Sequence, residues 1–168
     1  MAAWEFQTLQ NIAARKGWHQ FISMQNYHNP IAREEEREMI PYCLDSGVGL
    51  IPWSPMARGV LTRPWGSRST VRESTDGALK MLIRSRETES DKEIVDRVEE
   101  LAGKKGVSMA QISLAWSLSH PNECPIVGLS SPSRIDEAVA SLKVKLSPEE
   151  IKYLEEPYVA KAIAPIER

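Results

Sequence analysis

The spacing of hydrophobic residues along the chain changes repeatedly between a helical period and short apolar runs. The short runs predict three β-strands, at residues 21–24, 48–51 and 125–128. Because these runs do not alternate with polar residues, we expect the strands to be buried on both faces. Apolar residues at helical spacing predict helices at 2–16, 33–46, 91–104, 109–119 and 132–141, with a shorter helix near 78–83.

Turn and capping residues predict where the helices begin and end. Gly17 follows the first helical segment and is expected to end it. A serine followed three residues later by Glu or Gln forms a capping box, and this pattern occurs at residues 90–93, 108–111 and 147–150. The sequence therefore predicts helices that start at these boxes, the last with Pro148 at its favoured first position. The apolar side of the first helix is expected to comprise Trp4, Leu9, Ile12 and Ala13.

The order of the predicted elements favours one α/β domain. Strands that alternate with helices indicate a parallel sheet, because parallel strands need a long crossover connection. We interpret residues 1–168 as a single domain. Within it, residues 60–89 have weak periodicity and many Ser, Thr, Gly and Arg residues, and we interpret this segment as a long loop excursion.

Composition and charge narrow the classes of partner. Of the 168 residues, 42% are hydrophobic, and the formal net charge is -2, which gives no reason to expect nucleic acid or a membrane surface as a partner. The chain has no 18-residue apolar stretch and no secretory pattern at its N-terminus, so we predict a cytoplasmic protein. Cys43 and Cys124 lack the CxxC spacing and are expected to be buried and reduced.

Polar and aromatic side chains follow the first two predicted strands. Gln25 ends the first strand, and its carboxamide can pair with another amide. Trp53 and Ser54 end the second, where an indole can stack on a flat ring and a hydroxyl can bind a phosphate. Ligands in α/β proteins bind at the carboxyl ends of strands. The alternatives are that Gln25 is simply a satisfied polar group and that Trp53 belongs to the core.

The loop after the third strand has the sequence GLSSPSRIDE at residues 128–137 and runs into a predicted helix. The free N–H groups and the dipole of a helix N-terminus favour an anion. Ser130 and Ser131 add hydroxyl donors, and Arg134 can bind a phosphate through its guanidinium. The alternative is that a serine caps the helix. Three such loops at three successive strand ends favour a binding site.

Several motifs occur in the order and at the spacing of a known family. The segments FISMQNY at 21–27, REEEREM at 33–39 and IPWSPMARG at 51–59 resemble the C-terminal half of aldo-keto reductases. The most similar branch contains aryl-alcohol dehydrogenases and norsolorinic-acid-reductase-like proteins. The resemblance covers essentially the whole chain. It implies an α/β fold that is a partial (β/α)8 TIM barrel, namely about the last three β/α units plus a C-terminal helix.

The resemblance also implies NADP(H) as cofactor and an aldehyde or ketone as substrate. The cofactor would lie across all three strand ends, from its nicotinamide at the first two to its adenosine 2′-phosphate at the third. Gln25 and Trp53 would contact the nicotinamide, and Glu137 would contact the adenine. The pyrophosphate would be bound by Ser54, Met56, Arg58 and Gly59. The 2′-phosphate would be bound by Gly128, Ser130 and Arg134.

The acid–base residues of the family are not expected in this chain. The family's Asp, Tyr, Lys and His lie in the first half of the barrel, and three strands cannot close a barrel. Tyr27 and His28 are the only candidates for acid–base work near the predicted site, whereas His19 and His120 are expected to be surface or cap residues. No HxxxH, HExxH or CxxC spacing predicts a metal. The run Glu34–Glu36 is predicted to be a solvated helix face.

Two functions are open from the sequence alone. One is an NADP(H)-dependent oxidoreductase of the aldo-keto reductase type. The other is a non-reducing half-barrel protein, such as a pseudoenzyme, an interaction module, or a repurposed lyase or cyclase. In both, the open sheet edges of a partial barrel predict a homo-oligomer or a partner chain.

The excursion at residues 60–89 also holds arginines that either screen the cofactor phosphates or belong to a polar loop: Arg63, Arg68, Arg72, Arg84 and Arg86.

Overall fold

Three parallel segments at the centre of the fold place the loops described above side by side. In this computed structural model, which describes residues 1–67, 69–70 and 74–162, β1 (Ser23–Met24) pairs in parallel with β2 (Gly49–Leu50). On the opposite edge of β2, parallel bridges join Leu50 to Glu123 and Trp53 to Ile126. The predicted α/β arrangement with parallel strands is therefore confirmed.

The third segment begins earlier than the predicted strand at 125–128. The N–H group of Cys124 donates to the carbonyl oxygen of Leu50 in β2, and that of Ile126 donates to the carbonyl oxygen of Pro52 just after β2. Both hydrogen bonds are 2.8 Å long. Pro125 lies between these two donors, on the edge facing away from β2. Because that position needs no N–H donor toward β2, proline is tolerated there.

Helices surround these segments. They are α1 (Ala3–Lys16), α2 (Met39–Ser46), α3 (Gly77–Leu82), α4 (Glu89–Lys105), α5 (Met109–Leu118), α6 (Pro132–Ala140) and α7 (Pro148–Glu155). Short 3-10 turns occupy Glu34–Glu36, Ala57–Thr62, Arg84–Arg86 and Ser141–Lys143. The predicted helix at 33–46 is thus a 3-10 turn followed by α2. None of the helices within the described ranges combines the length and apolar character needed to cross a membrane.

Local capping signals predicted most helix ends. Gly17 adopts a left-handed conformation (φ 68°) and ends α1, and the boxes that start at Ser108 and Ser147 open α5 and α7 as predicted. The predicted box at 90–93 is wrong. Thr88 caps α4 instead and pairs reciprocally with Asp91, so the helix begins two residues earlier than predicted, at Glu89.

The core comprises two clusters of buried side chains. The larger one lies among α3, α4, α5 and α7 and includes Trp116. The described part of the 60–89 segment packs into it through Val60, Leu61, Leu79, Leu82 and Ile83, so much of this segment is packed structure rather than an open loop. The smaller cluster joins α1, α2 and β2 through Phe6, Met39, Ile40, Cys43, Val48 and Leu50.

Several predicted core positions are exposed. The prediction that the strands are buried on both faces is wrong, because Ile22 is 85% exposed and Phe21 is 53% exposed, although Leu50 is fully buried. On α1 the packed face comprises Phe6, Gln10 and Ala13, while Trp4 and Leu9 are exposed. Cys43 is buried as predicted, but Cys124 is exposed. The described chain therefore presents apolar surface beside β1.

Candidate functional site

A cleft of about 480 Å³ lies at the carboxyl ends of β2 and of the third parallel segment. It gathers seven of the ten residues that the sequence predicted for cofactor binding: Ser54, Met56, Arg58, Gly59, Gly128, Arg134 and Glu137. Gln25, Trp53 and Ser130 do not line it. Ser130 is nevertheless adjacent, because its hydroxyl oxygen accepts a hydrogen bond from Arg134 Nη1 at 3.2 Å. Gln25 is exposed at the end of β1.

The cleft floor is a loop with unusual backbone conformations. Ser54, Ala57 and Arg58 have φ values of 54°, 46° and 54°, and Gly59 has φ 98°. Left-handed conformations are uncommon for residues with a side chain and cost of order 1 kcal/mol or more each. The loop is held by its packing, since Ala57 is fully buried, and by the Asn29 amide, which donates to the Ser54 carbonyl oxygen at 3.1 Å. A tightly held, unfavourable loop beside a cleft is typical of a ligand-binding site.

Gly59 is the position of this loop least able to accept a side chain. A Cβ atom there would lie 2.8 Å from Nη2 of Arg63, and φ is +98°. We expect Gly59→Ala to lower the free energy of unfolding by about 1–2 kcal/mol, mainly through backbone strain. Urea denaturation followed by circular dichroism would measure this. Gly66→Ala is the matched control, because a Cβ atom added at Gly66 would have no other atom within 4 Å. Equal losses of unfolding free energy in both variants would contradict the prediction.

Positive charge dominates the polar lining of the cleft. Three guanidiniums line it, those of Arg58, Arg63 and Arg134, against the single carboxylate of Glu137. Asp76 fixes the orientation of Arg58, accepting from its Nε at 2.9 Å and from its Nη2 at 3.1 Å. This arrangement suits an elongated anion that carries more than one phosphate.

The start of α6 borders the cleft through Arg134. The Ser131 side chain caps α6, and Pro132 occupies its first turn, so part of the serine-capping alternative is also correct. Arg134, in that turn, lines the cleft. The capped helix start and the cleft therefore coexist.

The arginines of the 60–89 segment have different positions. Arg63 lines the cleft, a role that residue type alone could not assign. Arg84 pairs with Glu87 and lies 5.6 Å from the centre of the Trp65 ring, and Arg86 donates to the Ala162 carbonyl oxygen. Arg68 and Arg72 lie outside the described residues.

Trp53 lies at the end of β2 with one ring face covered. The rings of Tyr27 and Trp53 stack with their centres 4.3 Å apart and an interplanar angle of 22°, and Tyr27 is buried. The tyrosine thereby fixes the indole plane. Its position beside Trp53 supports a positioning role for Tyr27, and the acid–base role considered from the sequence stays a prediction.

His28 is not placed for acid–base work on a substrate. It is fully buried, with Nδ1 2.6 Å from Glu123 and Nε2 3.0 Å from Glu36, so both ring nitrogens contact carboxylates. Burial by itself would lower the pKa of His28, but the hydrogen bonds and charges of Glu123 and Glu36 outweigh burial and raise it. His28 therefore belongs to an internal polar network.

The carboxylates at Glu34–Glu36 are also more engaged than a solvated face. Glu36 bonds Arg33 as well as His28, and Glu34 accepts hydrogen bonds from Arg37 and from the hydroxyl of Tyr158. The pKa of Glu36 is held at about 2, because the bonds from His28 and Arg33 outweigh the effect of burial. The prediction of a purely solvated face is wrong for Glu34 and Glu36.

Parallel strands whose carboxyl ends border a cleft lined by arginines define an α/β protein with a candidate anion-binding site at those ends. Comparison with protein families makes this specific. The family model described as "Aldo/keto reductase family" matches residues 2–158. The chain belongs to the aldo/keto reductase family, as the sequence motifs predicted.

Individual relatives agree with this family. The chain is 77% identical over all of its 168 residues to the versiconal hemiacetal acetate reductase of Aspergillus parasiticus, covering 49% of that protein. It is 55% identical over 160 residues to a putative aryl-alcohol dehydrogenase of Schizosaccharomyces pombe, with 94% of this chain and 44% of the relative covered. A putative aryl-alcohol dehydrogenase of Saccharomyces cerevisiae is 52% identical over 158 residues, covering 94% and 46%. The chain thus spans about half the length of these relatives.

Proposed function

We propose that this chain is the cofactor-binding part of an NADP(H)-dependent oxidoreductase that acts on an aldehyde or ketone. The observation that carries the proposal is the cleft, in which seven residues predicted from sequence motifs, Arg58 and Arg134 among them, lie together with Arg63. The relatives, named as a reductase and as dehydrogenases, support the same class of reaction. This arrangement favours a ligand with a flat aromatic ring, which would lie beside a strand end, and with phosphates, which would lie beside the arginines.

The residues of the cleft fit a dinucleotide with three phosphates. The cleft volume of about 480 Å³ lies within the range of about 300–1,000 Å³ that is usual for small-molecule sites. Arg58 and Arg63 would bind the pyrophosphate beside the loop at Ser54. Arg134 and Ser130, which already share a hydrogen bond, would bind the 2′-phosphate.

The chemistry divides between the cofactor and the protein. When bound, NADP(H) supplies or accepts a hydride. This chain would bind and orient the dinucleotide: Trp53, fixed by Tyr27 at 4.3 Å, presents an aromatic plane, and Gln25 at the end of β1 offers a carboxamide. We assign no proton-transferring group to this chain, because His28 is enclosed by carboxylates.

We propose further that another polypeptide segment covers the surface beside β1 and supplies acid–base residues. Trp18, Phe21 and Ile22 are 64%, 53% and 85% exposed there, and no further strand of the described residues pairs with the outer edge of β1. Exposed apolar residues beside an open edge favour association. Asn26, at the end of β1, has both side-chain polar atoms buried without a hydrogen-bond partner, which is a costly state.

The proposed function is tested with the chain alone and in a chimera. We expect the purified chain to bind NADPH saturably in a fluorescence titration, without aldehyde-dependent NADPH oxidation. Joined to the part of the Aspergillus parasiticus relative that it does not match, it should oxidise NADPH with an aldehyde, and Trp53→Ala should reduce that rate. The proposal would be overturned by absence of NADPH binding in both forms. Saturable binding without turnover in a folded chimera would favour a non-reducing half-barrel protein.

Sedimentation of the chain alone tests the covered surface. Ile22→Asp is expected to weaken any association, because it places a charge on the exposed patch, whereas Arg15→Ala on the exposed side of α1 should not. A mass equal to one chain at all concentrations would exclude a second copy as the covering segment. Association unaffected by Ile22→Asp would show that a different surface is used.

A further inference from the structure

A second group of chemically active side chains lies apart from the cleft. His28, Glu36 and His120 each direct one ligand-type atom toward the others, and these atoms all lie within 4.8 Å of one another. Glu155 adds a carboxylate oxygen 3.6 Å from Nε2 of His120. We call these four residues the His–Glu cluster. It joins the segment after β1, the turn at Glu34–Glu36, the end of α5 and α7.

Both imidazoles are oriented through their other ring nitrogen. His120 Nδ1 lies 2.8 Å from the carbonyl oxygen of Trp116. Because a carbonyl oxygen only accepts, Nδ1 carries the proton, and Nε2 of the neutral ring holds a lone pair. His28 Nδ1 lies 2.6 Å from Glu123, a buried carboxylate that also accepts from Ser117. Such outer partners fix the tautomer and direction of metal-binding histidines.

The inner side of the cluster offers a place for a cation. With neutral rings, Nε2 of His28 and Oε1 of Glu36 are two acceptors only 3.0 Å apart. A proton or a metal ion between them removes this repulsion. In a tetrahedral zinc site, neighbouring ligand atoms are about 3.3 Å apart, so this pair is already at a suitable separation.

The charges around the cluster match a divalent ion. Two carboxylates, Glu36 and Glu155, bond the guanidinium of Arg33 at 2.7 Å and 3.1 Å, and the third, Glu123, contacts His28. With neutral imidazoles these groups carry three negative charges and one positive charge. Mostly buried charge of this kind is costly unless it is balanced.

Solvent can reach the cluster. A groove of about 340 Å³ is lined by Glu36 and Glu155, together with Arg33 and Tyr158. The side chains of Glu36 and His120 are 30% and 20% exposed, so both can adjust as an ion enters, while His28 and Glu123 stay fixed in the interior. An entry path, oriented imidazoles and carboxylates are the features that a metal site needs.

We propose that the His–Glu cluster binds one divalent transition-metal ion of the zinc class, through Nε2 of His28, Nε2 of His120 and Oε1 of Glu36, with Glu155 as the fourth ligand. Imidazole and carboxylate ligands in a tetrahedral arrangement favour Zn²⁺ or Co²⁺ over Mg²⁺, which prefers six oxygens. The ion would hold α7 and the end of α5 against the segment that follows β1. Motif spacing did not predict the site, because its ligands come together only in the folded chain.

Metal titration of the purified, chelator-treated chain tests this proposal. In calorimetry at slightly alkaline pH we expect Zn²⁺ to bind with one-to-one stoichiometry, Co²⁺ to give the visible absorbance of a tetrahedral complex, and excess Mg²⁺ not to compete. His120→Asn, at a partly exposed position, should weaken Zn²⁺ binding about tenfold or more. Glu36→Gln, which keeps the side-chain shape, should do the same.

The matched control is His19→Asn, because His19 is exposed and outside the cluster. Circular dichroism establishes that each variant is folded. Retained binding in His19→Asn and lost binding in the two cluster variants would support the site. Absence of saturable Zn²⁺ binding, or an equal loss in His19→Asn, would overturn it.

Discussion

Replacing Trp116 with alanine is expected to lower the free energy of unfolding by about 3–5 kcal/mol. The indole is fully buried in the larger core cluster, and its Nε1–H donates to Glu155 at 2.9 Å. Alanine would leave a cavity and remove one of the hydrogen bonds to Glu155. Domains of this size commonly have a free energy of unfolding of only about 5–15 kcal/mol. A substantial fraction of the variant molecules would therefore be unfolded at moderate temperature. Chemical denaturation followed by circular dichroism measures the loss.

The chain offers a matched tryptophan control. Trp4 is 65% exposed, so Trp4→Ala should change the free energy of unfolding by less than about 0.5 kcal/mol. Trp116→Phe separates packing from hydrogen bonding, because it keeps most of the volume but removes the donor to Glu155. A Trp116→Ala loss no larger than that of Trp4→Ala would contradict the described core.

Replacing Arg134 with alanine is expected to weaken NADPH binding about 10- to 100-fold, equivalent to about 1.4–2.8 kcal/mol. The guanidinium lines the cleft and bonds Ser130, where we place the 2′-phosphate. NADH lacks that phosphate, so its affinity should change much less. Parallel fluorescence titrations with both dinucleotides measure the difference, which a general loss of structure would not produce.

Arg15→Ala is the control for this substitution. Arg15 lies on α1 and outside the cleft, and its Nε donates only a long hydrogen bond of 3.3 Å to the Asn11 carbonyl oxygen. It should leave both affinities unchanged. Equal weakening of NADPH and NADH by Arg134→Ala would place the arginine at a group that the two cofactors share, such as the pyrophosphate. Unchanged NADPH affinity would remove Arg134 from the site.

Secondary structure was largely readable from the sequence, because its signals are local. The boxes that start at Ser108 and Ser147 depend on residues three positions apart, and both open helices as predicted. The error at α4 shows the limit of this reasoning. Thr88 and Ser90 are both competent caps, and the Ser90 hydroxyl donates instead to the carbonyl oxygen of Pro157, a contact that exists only after α7 has packed.

The cleft was also partly predictable, for a topological reason. Parallel strands place their carboxyl ends at one edge of a sheet. The loops that contain Ser54 and Gly128 were therefore expected to lie side by side, and both residues line the cleft. The contribution of Arg63 was not assigned, because its position depends on how the 60–89 segment packs into the core.

The amino-acid sequence by itself determined the family, the order of strands and helices, and most of the residues around the cleft. Periodicity, caps and strand-end motifs are properties of neighbouring residues, and they do not require knowledge of the packing. Only the tertiary structure decided the environment of each side chain. It enclosed His28 between Glu36 and Glu123 and brought His120 beside it. It also left Ile22 in solvent, because burial depends on which distant segments pack together.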